Sequence, residues 1–432
     1  MNFERLRALL LEQAIRGELV EQQARDSAVL VVDGVLPKES YPFEIPDHWK
    51  WYPLGKIVEY GKGTQIGSGE ISETTWVLDL EDIEKGTGCL LNKKRGTPTT
   101  SNKTKFCKGD VLYGKLRPYL NKVLVADEDG VCTTEIVPIR VVTAKLPLLA
   151  EYLQSYLMSP FFLDYANKIS YGVKMPRLGT KDAKAALIPV PPIEEQTRIV
   201  TKLDEAFAEI DRAEKAYGEL QTLAGVLRGQ LLQEAIQGKL VPQLAEEGVV
   251  EQIGVAPEEV PFKIPESWSW IRVEELAVKR RTIDPSTLTN DEIELWSIPA
   301  FDAGVAEKVS PGDIGSSKKV VQVGDVLLAK IVPHIKRVWV VSESANSLMK
   351  LASTEWLVYA SELFLPEFMG LLFRAPYFRT KMMESVSGMG SLKRANPRIL
   401  AKVWLPVPPI AEQARIVTKV EELLKQVDAL ST

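Results

Sequence analysis

The sequence is short of the side chains that most often do chemistry: its 432 residues include two histidines, His48 and His334, and three cysteines, Cys89, Cys107 and Cys132. Two distant histidines supply a Ser–His or Cys–His nucleophile system poorly. The cysteines are odd in number and lack metal-ligand spacing, which argues against a disulfide framework and fits a reducing cytoplasm. No apolar run approaches the length of a membrane span, and no charged-then-apolar leader opens the chain, so a soluble protein that stays where it is made is expected, with no membrane partner. Gly61-Lys-Gly-Thr-Gln-Ile-Gly67 lacks the Gly-Lys-Ser/Thr ending of a phosphate loop and reads as a loop tip. Asp182-Ala-Lys184 is a nuclease-like triplet of a kind common by chance. No Asn/Asp-Pro-Pro-aromatic tetrad occurs, so an adenine-methyltransferase site is missing. Neither a catalytic residue nor a metal ligand is assigned.

With 45% hydrophobic residues and a net charge of −5, the chain is an ordinary globular one, long enough for two or three domains. The mild acidity hides a division. Residues 44–186 carry 20 Lys+Arg against 17 Asp+Glu, and residues 262–403 carry 19 against 16, while the remainder carries 14 against 25. The basic excess sits in two similar blocks and the acidity in what joins them.

The chain also repeats itself. Leu6–Val20 recurs as Leu227–Val241, Pro42–Trp51 as Pro261–Trp270, Gly109-Asp-Val-Leu as Gly324-Asp-Val-Leu, and Pro189–Lys202 as Pro406–Lys419. The offsets are 221, 219, 215 and 217, so the order is that of a tandem duplication with small loop insertions. Leu203, Phe207, Ile210, Ala213, Tyr217, Leu220, Ala224, Leu227 and Leu231 follow a coiled-coil spacing, continued at Ile416, Val420, Leu423, Val427 and Leu430, and read as core. A helix is expected from Gln196 to about Ile236, with matching half-helices at the two chain ends. Gly17 and Gly238 close helices, and Pro191-Pro192 and Pro408-Pro409 precede them. Runs 110–115, 121–126, 135–141 and 338–341 read as strands, and 148–168 and 362–385 as helices. The expected fold is α+β: two tandem-duplicated globular domains separated by an antiparallel coiled-coil helical rod with pseudo-two-fold symmetry. Its parts are an N-terminal half-helix (1–20), a first domain (40–188), a central helical region (189–240), a second domain (260–405) and a C-terminal half-helix (406–432).

These residues resemble the specificity subunits of type I restriction–modification enzymes. The Pro-x-Pro-Pro-Ile-x-Glu-Gln-x-x-Ile corner at 189–199 and 406–416 is the family's most recognisable element, and Gly109–Lys122 looks like a strand-and-loop motif of its recognition domains. The resemblance covers essentially the whole chain, although Val332 and His334 stand where the first half has Arg117 and Tyr119. It implies that each domain reads one half of a split double-stranded DNA target. It also implies that the rod docks two DNA adenine methyltransferase subunits using S-adenosylmethionine, and that restriction subunits using ATP and magnesium join them. The chain itself would hold no cofactor. A non-catalytic coiled-coil adaptor that binds proteins is the alternative; the basic blocks disfavour it. An enzyme acting on nucleic acid alone lacks its catalytic residues.

Phosphate contacts supply affinity and base-edge contacts specificity, so readers should lie where the two halves differ. Arg117, Tyr119, Asn121 and Lys122 face Val332, His334, Lys336 and Arg337, making this loop the preferred reading element. Lys115 and Lys330 correspond and suit phosphate or a structural bond. Lys62, Arg95, Lys103 and Lys105, with Arg280, Arg281, Lys318 and Lys319, complete the candidate contacts on expected exposed loops. Lys174, Arg177, Lys393, Arg394 and Arg398 precede the Pro-rich corners. Repetition of Trp49/Trp51 as Trp268/Trp270 favours packing over base stacking.

Overall fold

The computed structural model describes residues 2–23, 26–96, 101–142, 146–252, 257–258, 260–343, 348–388 and 393–430. The outermost residues of the expected half-helices, Met1 and 431–432, lie outside these. The chain forms two compact units, Met1–Ala216 and Tyr217–Thr432, with the boundary inside a 43-residue helix, Ile193–Ala235. Each unit mixes helix and sheet.

Helix Phe3–Arg16 begins at Asn2, whose side chain accepts from the Arg5 N–H at 3.0 Å, and stops at Gly17 in the left-handed region. The long helix stops the same way before Gly238 (φ 68°). Glycine is needed at both stops for two reasons. An L side chain resists that φ, and a Cβ would come 2.5 Å from Pro46 Cγ or 2.4 Å from Pro265 Cγ. These prolines open the repeated Pro-x-x-Trp turn, which leads into a strand that ties each globular part shut: Lys50–Pro53 pairs antiparallel with Leu187–Val190, and Ser269–Arg272 with Trp404–Val407.

Inside the first unit a five-stranded sheet runs in the order Gln65–Ile66, Lys103–Phe106, Gly130–Thr133, Trp76–Leu78, Lys94–Arg95. The second unit repeats it with Thr282–Ile283, Lys318–Val320, Lys350–Ser353, Ile293–Trp296 and Glu307–Val309. In both, the third and fourth strands of that order are parallel and the other pairs antiparallel. A smaller sheet carries the Gly-Asp-Val-Leu strand, Val111–Gly114 or Val326–Ala329, between its neighbours. The expected single helices over 148–168 and 362–385 are each two, Ala150–Met158 with Pro160–Ile169, and Pro366–Arg374 with Pro376–Glu384. Proline removes the N–H that would continue the first helix and suits the first turn of the next.

The seam on the long helix departs from expectation. Leu203, Ala224 and Leu231 are buried, but Ala213, Leu220 and Leu227 are exposed. In the first unit the N-terminal helix reaches the long one through Arg7, which pairs with Asp211 at 2.5 Å and Glu214 at 2.8 Å. In the second, helix Ile410–Leu430 packs Val427 against Ala224 and Leu231, and Asp428 pairs with Arg228. Each short helix covers one end of the long helix within its own unit. The turns between keep an apolar stretch, Leu220, Leu223, Val226 and Leu227, in water.

Candidate nucleic-acid interface

The repeated Glu-Gln of each Pro-rich corner is the joint from which the site is hung. Glu195 is fully buried at the start of the long helix, and its Oε2 accepts from Trp49 Nε1 at 2.9 Å. Glu412 accepts from Trp268 Nε1 at 2.8 Å in the same way. Gln196 bonds the Leu149 N–H and the carbonyls of Pro147 and Pro191; Gln413 bonds the Leu365 N–H and the carbonyls of Leu363 and Pro408. Arg198 pairs with Asp26 and Arg415 with Glu247 beside them. The repeated tryptophans are therefore packed anchors, not stacking platforms. His48 in the same turn has its Nε2 2.9 Å from Glu195 Oε2. Asp26, His48 and Glu195 bring their ligand atoms within 4.8 Å of one another. Asp26 is engaged by Arg198 and Glu195 Oε2 by Trp49, and Ser267 replaces His48 in the second unit, so the group reads as a structural latch.

From that frame a strand carries each candidate turn. Val111–Gly114 leads to the turn Pro118–Leu120, and Val326–Ala329 to Pro333–Ile335. Each turn is flanked by non-glycine residues in the left-handed region: Arg117 (φ 51°) and Asn121 (φ 48°), then Val332 (φ 47°) and Lys336 (φ 38°). Among the described residues no other non-glycine residue has positive φ. A β-branched valine there is a costly conformation, and such strain persists only where the surroundings over-determine it. Here they do. The Arg117 N–H donates to the Pro176 carbonyl at 2.7 Å, and Asn121 Nδ2 to the Met158 carbonyl at 2.9 Å. In the second unit the Val332 N–H donates to the Lys393 carbonyl at 2.9 Å, and Arg379 donates to the Pro333 carbonyl. The tips Tyr119 and His334 stand in solvent.

A second repeated pair supports each turn from behind. Glu135 and Glu355 hold Arg177 and Arg394, each at 3.1 Å, and their carboxylates raise both guanidinium pKa values. Arg177 and Arg394, expected near DNA, thus brace the segment that follows the helices. Repetition was the signal for these glutamates, which stand after Thr134 and Thr354.

Several expected contacts have their hydrogen bonds or charges met inside their own unit, because the expected exposed loops are partly sheet. Lys103 lies on a strand, 4% exposed, with Asp79 at 2.6 Å, and Arg95, also on a strand, pairs with Glu128 at 2.7 Å. Lys318 is buried on a strand and Lys319 donates to the Trp356 carbonyl at 2.7 Å; burial lowers both ammonium pKa values. Arg280 pairs with buried Asp325, Arg337 with Asp302, and Lys122 donates to the Leu80 carbonyl. Lys330 lies 4.0 Å from Glu355, and exposed Lys62 pairs with Glu59. What remains clusters at the turns and the segments beside them. Lys115, Arg117, Tyr119 and Lys174 have no side-chain partner among the described residues of the first unit, nor do His334, Lys336, Lys393 and Arg398 in the second. Lys105, on its strand, and Arg281, just before Thr282–Ile283, are exposed.

Residues 46–220 match the family described as the type I restriction modification DNA specificity domain. The chain is 28% identical over 252 residues to the EcoDI specificity subunit of Escherichia coli, covering 56% of this chain and 54% of that one. With the EcoEI specificity subunit of Escherichia coli it is 22% identical, over 100% of this chain and 90% of that one. Residues 46–220 thus carry the likeness to the specificity domain, and the chain is similar to type I specificity subunits along its length. It spans about half the length of the EcoDI relative and 62% of the EcoAI specificity subunit, also from Escherichia coli. The HsdS subunit from Thermoanaerobacter tengcongensis has the same fold at TM-score 0.55 and 21% identity, over 90% of this chain and 92% of that one. A chain from a study of type I R-M complex assembly aligns at TM-score 0.69 and 20% identity, over 90% and 93%. The chain shares its mixed fold with both of these structures. No helix among the described residues is long and apolar enough to cross a membrane.

Proposed function

We propose that the chain is the DNA-reading subunit of a type I restriction–modification enzyme, and that each unit reads one half of a bipartite target through its recognition turn. The observation that carries this reading is the pair of turns: one backbone, held by matching left-handed residues, presents Arg-Pro-Tyr-Leu-Asn in one unit and Val-Pro-His-Ile-Lys in the other. Equal presentation with unequal side chains suits two readers of different sequences. Lys115, Lys174, Lys336 and Lys393 would neutralise phosphates, while Arg117, Tyr119 and His334 would reach base edges. The domains would be 40–188 and 260–405, held by a helical rod built from 1–20, 189–240 and 406–432. The exposed apolar turns of the long helix, from Leu220 to Leu227, would dock the methyltransferase subunits.

In this reading the chain is non-catalytic. S-adenosylmethionine belongs to the methyltransferase partners, and ATP and magnesium to a restriction subunit. The test is co-purification with a DNA methyltransferase, followed by methylome sequencing of cells that express the pair. A methylated motif of two short, different sequences separated by a fixed spacer is expected. A chain that captures partners but imposes no methylation motif would instead be a protein adaptor.

A further inference from the structure

The second unit leaves positive charge unanswered beside its recognition turn. A cleft of about 920 Å³ opens between the long helix, the turn and the helix Pro376–Glu384, lined by Arg228, His334, Lys336, Arg374, Arg379 and Glu384. Arg379 is 6% exposed. It donates to the Pro333 carbonyl and lies 3.1 Å from Met382 Sδ, and its Nε has no partner. Arg374, half-buried, donates to the Val338 carbonyl at 2.7 Å. Every one of these acceptors is neutral, and no carboxylate among the described residues pairs with either guanidinium. Burial pulls both pKa values down, that of Arg379 to about 10.

The other charges at the rim are matched or point into water. Arg228 pairs with Asp428 at 2.6 Å and Glu384 with Lys381 at 2.9 Å, while His334 and Lys336 are exposed without an ion-pair partner. A buried cation without an anion is costly, so a fold keeps one only where something answers it. The first unit shows that the fold does not need these arginines. Aligning Pro160 with Pro376 and Phe162 with Phe378 puts Met158 opposite Arg374 and Leu163 opposite Arg379. The same helix pair packs there with apolar side chains.

We propose that this cleft binds the DNA backbone phosphate beside the half-site that the second unit reads, with Arg374 and Arg379 as its floor and Lys336 and His334 as its rim. The proposal rests on the DNA-reading function above, and commits to DNA because the cleft is continuous with the turn that would enter the groove. A phosphate seated there fixes the register of the turn through Arg379, which already holds the Pro333 carbonyl. The first unit, with Met158 and Leu163, has no such seat.

The test uses the full chain, assembled with its methyltransferase, and a variant that carries the first unit's side chains, Arg374→Met with Arg379→Leu. Duplex DNA containing the methylated motif is titrated over a range of salt. The slope of log affinity against log salt should become shallower by about 1–2 in the variant. Without DNA, the variant should melt at the same or a higher temperature, and inorganic pyrophosphate should stabilise only the parent. An unchanged salt slope with a lower melting temperature would make the arginines structural and overturn the proposal. An unchanged slope with weakened capture of the methyltransferase would make the cleft a protein-docking surface, which also overturns it. If the parent complex binds no duplex while pyrophosphate still protects it and not the variant, DNA reading fails but the anion cleft stands without its DNA ligand.

Discussion

The turn from Arg117 to Asn121 and the turn from Val332 to Lys336 follow the same strained path with different side chains; within these five residues they share only proline, Pro118 and Pro333. The frame behind them shows the reverse. Glu195 and Glu412 hold Trp49 and Trp268, Gln196 and Gln413 make matching bonds, and Glu135 and Glu355 hold Arg177 and Arg394. Identity is kept where a buried polar group would be orphaned by change, and variation includes the tips that end in water, Tyr119 and His334. A strained backbone common to both turns belongs with the frame, since it is how each variable tip is presented.

The comparison breaks most sharply if the frame is unequal. Trp49→Ala and Trp268→Ala should each cost about 3–5 kcal/mol, because each deletes a buried indole and leaves a buried glutamate short of a donor. Urea denaturation of both variants checks this, and indifference in one unit would show that the two anchors do different jobs. Next in size, Arg117→Ala should weaken or relax recognition of one half-site only, by about 1–3 kcal/mol if the side chain makes a bidentate base contact. Competition binding against targets altered in each half separates this from a phosphate role, in which the loss is uniform and the salt dependence shallower. Smaller still, Val332→Asn should stabilise the second unit by about 0.5–1 kcal/mol, since asparagine tolerates the left-handed region that valine resists. A loss of stability in denaturant titration would mean that the valine side chain outweighs its backbone strain.

The two units should also differ slightly with pH. Burial raises the pKa of Glu412 above its ordinary value. Its protonated form therefore favours the folded state, and the stability this brings is present at acid pH and lost as pH rises through the raised value. Asp26 and Glu247 run the other way: Arg198 and Arg415 lower them, so their contribution is lost as pH falls through the depressed range. Glu412→Gln should remove only the first trend, flattening second-unit stability at pH above the ordinary glutamate range, as hydrogen exchange would read it. An unchanged profile would assign the trend to another group.

Much of this organisation can be read from the residues because duplication makes local motifs comparable. The Pro-rich corners, the glycine helix stops and the Gly-Asp-Val-Leu strands all lie where the repeats place them. What could not be read depends on neighbours distant in sequence. Lys103 and Lys318 look like loop lysines until strand pairing buries them. Arg177 and Arg394 look free until Glu135 and Glu355 arrive from about 40 residues away. Spacing alone marked Leu220 and Leu227 as core, but burial needs a partner helix, and none covers them among the described residues. The twin tryptophans were legible as packing; the glutamates that fix them were visible only as repeated letters.

The central claim is that the two units read independently. Replacing residues 44–186 with the corresponding segment of a type I specificity subunit, then sequencing the methylome of cells carrying the chimera and the partner methyltransferase, tests this most directly. The account predicts a new sequence in one half of the methylated motif and the parental sequence in the other; both halves changing together would contradict it.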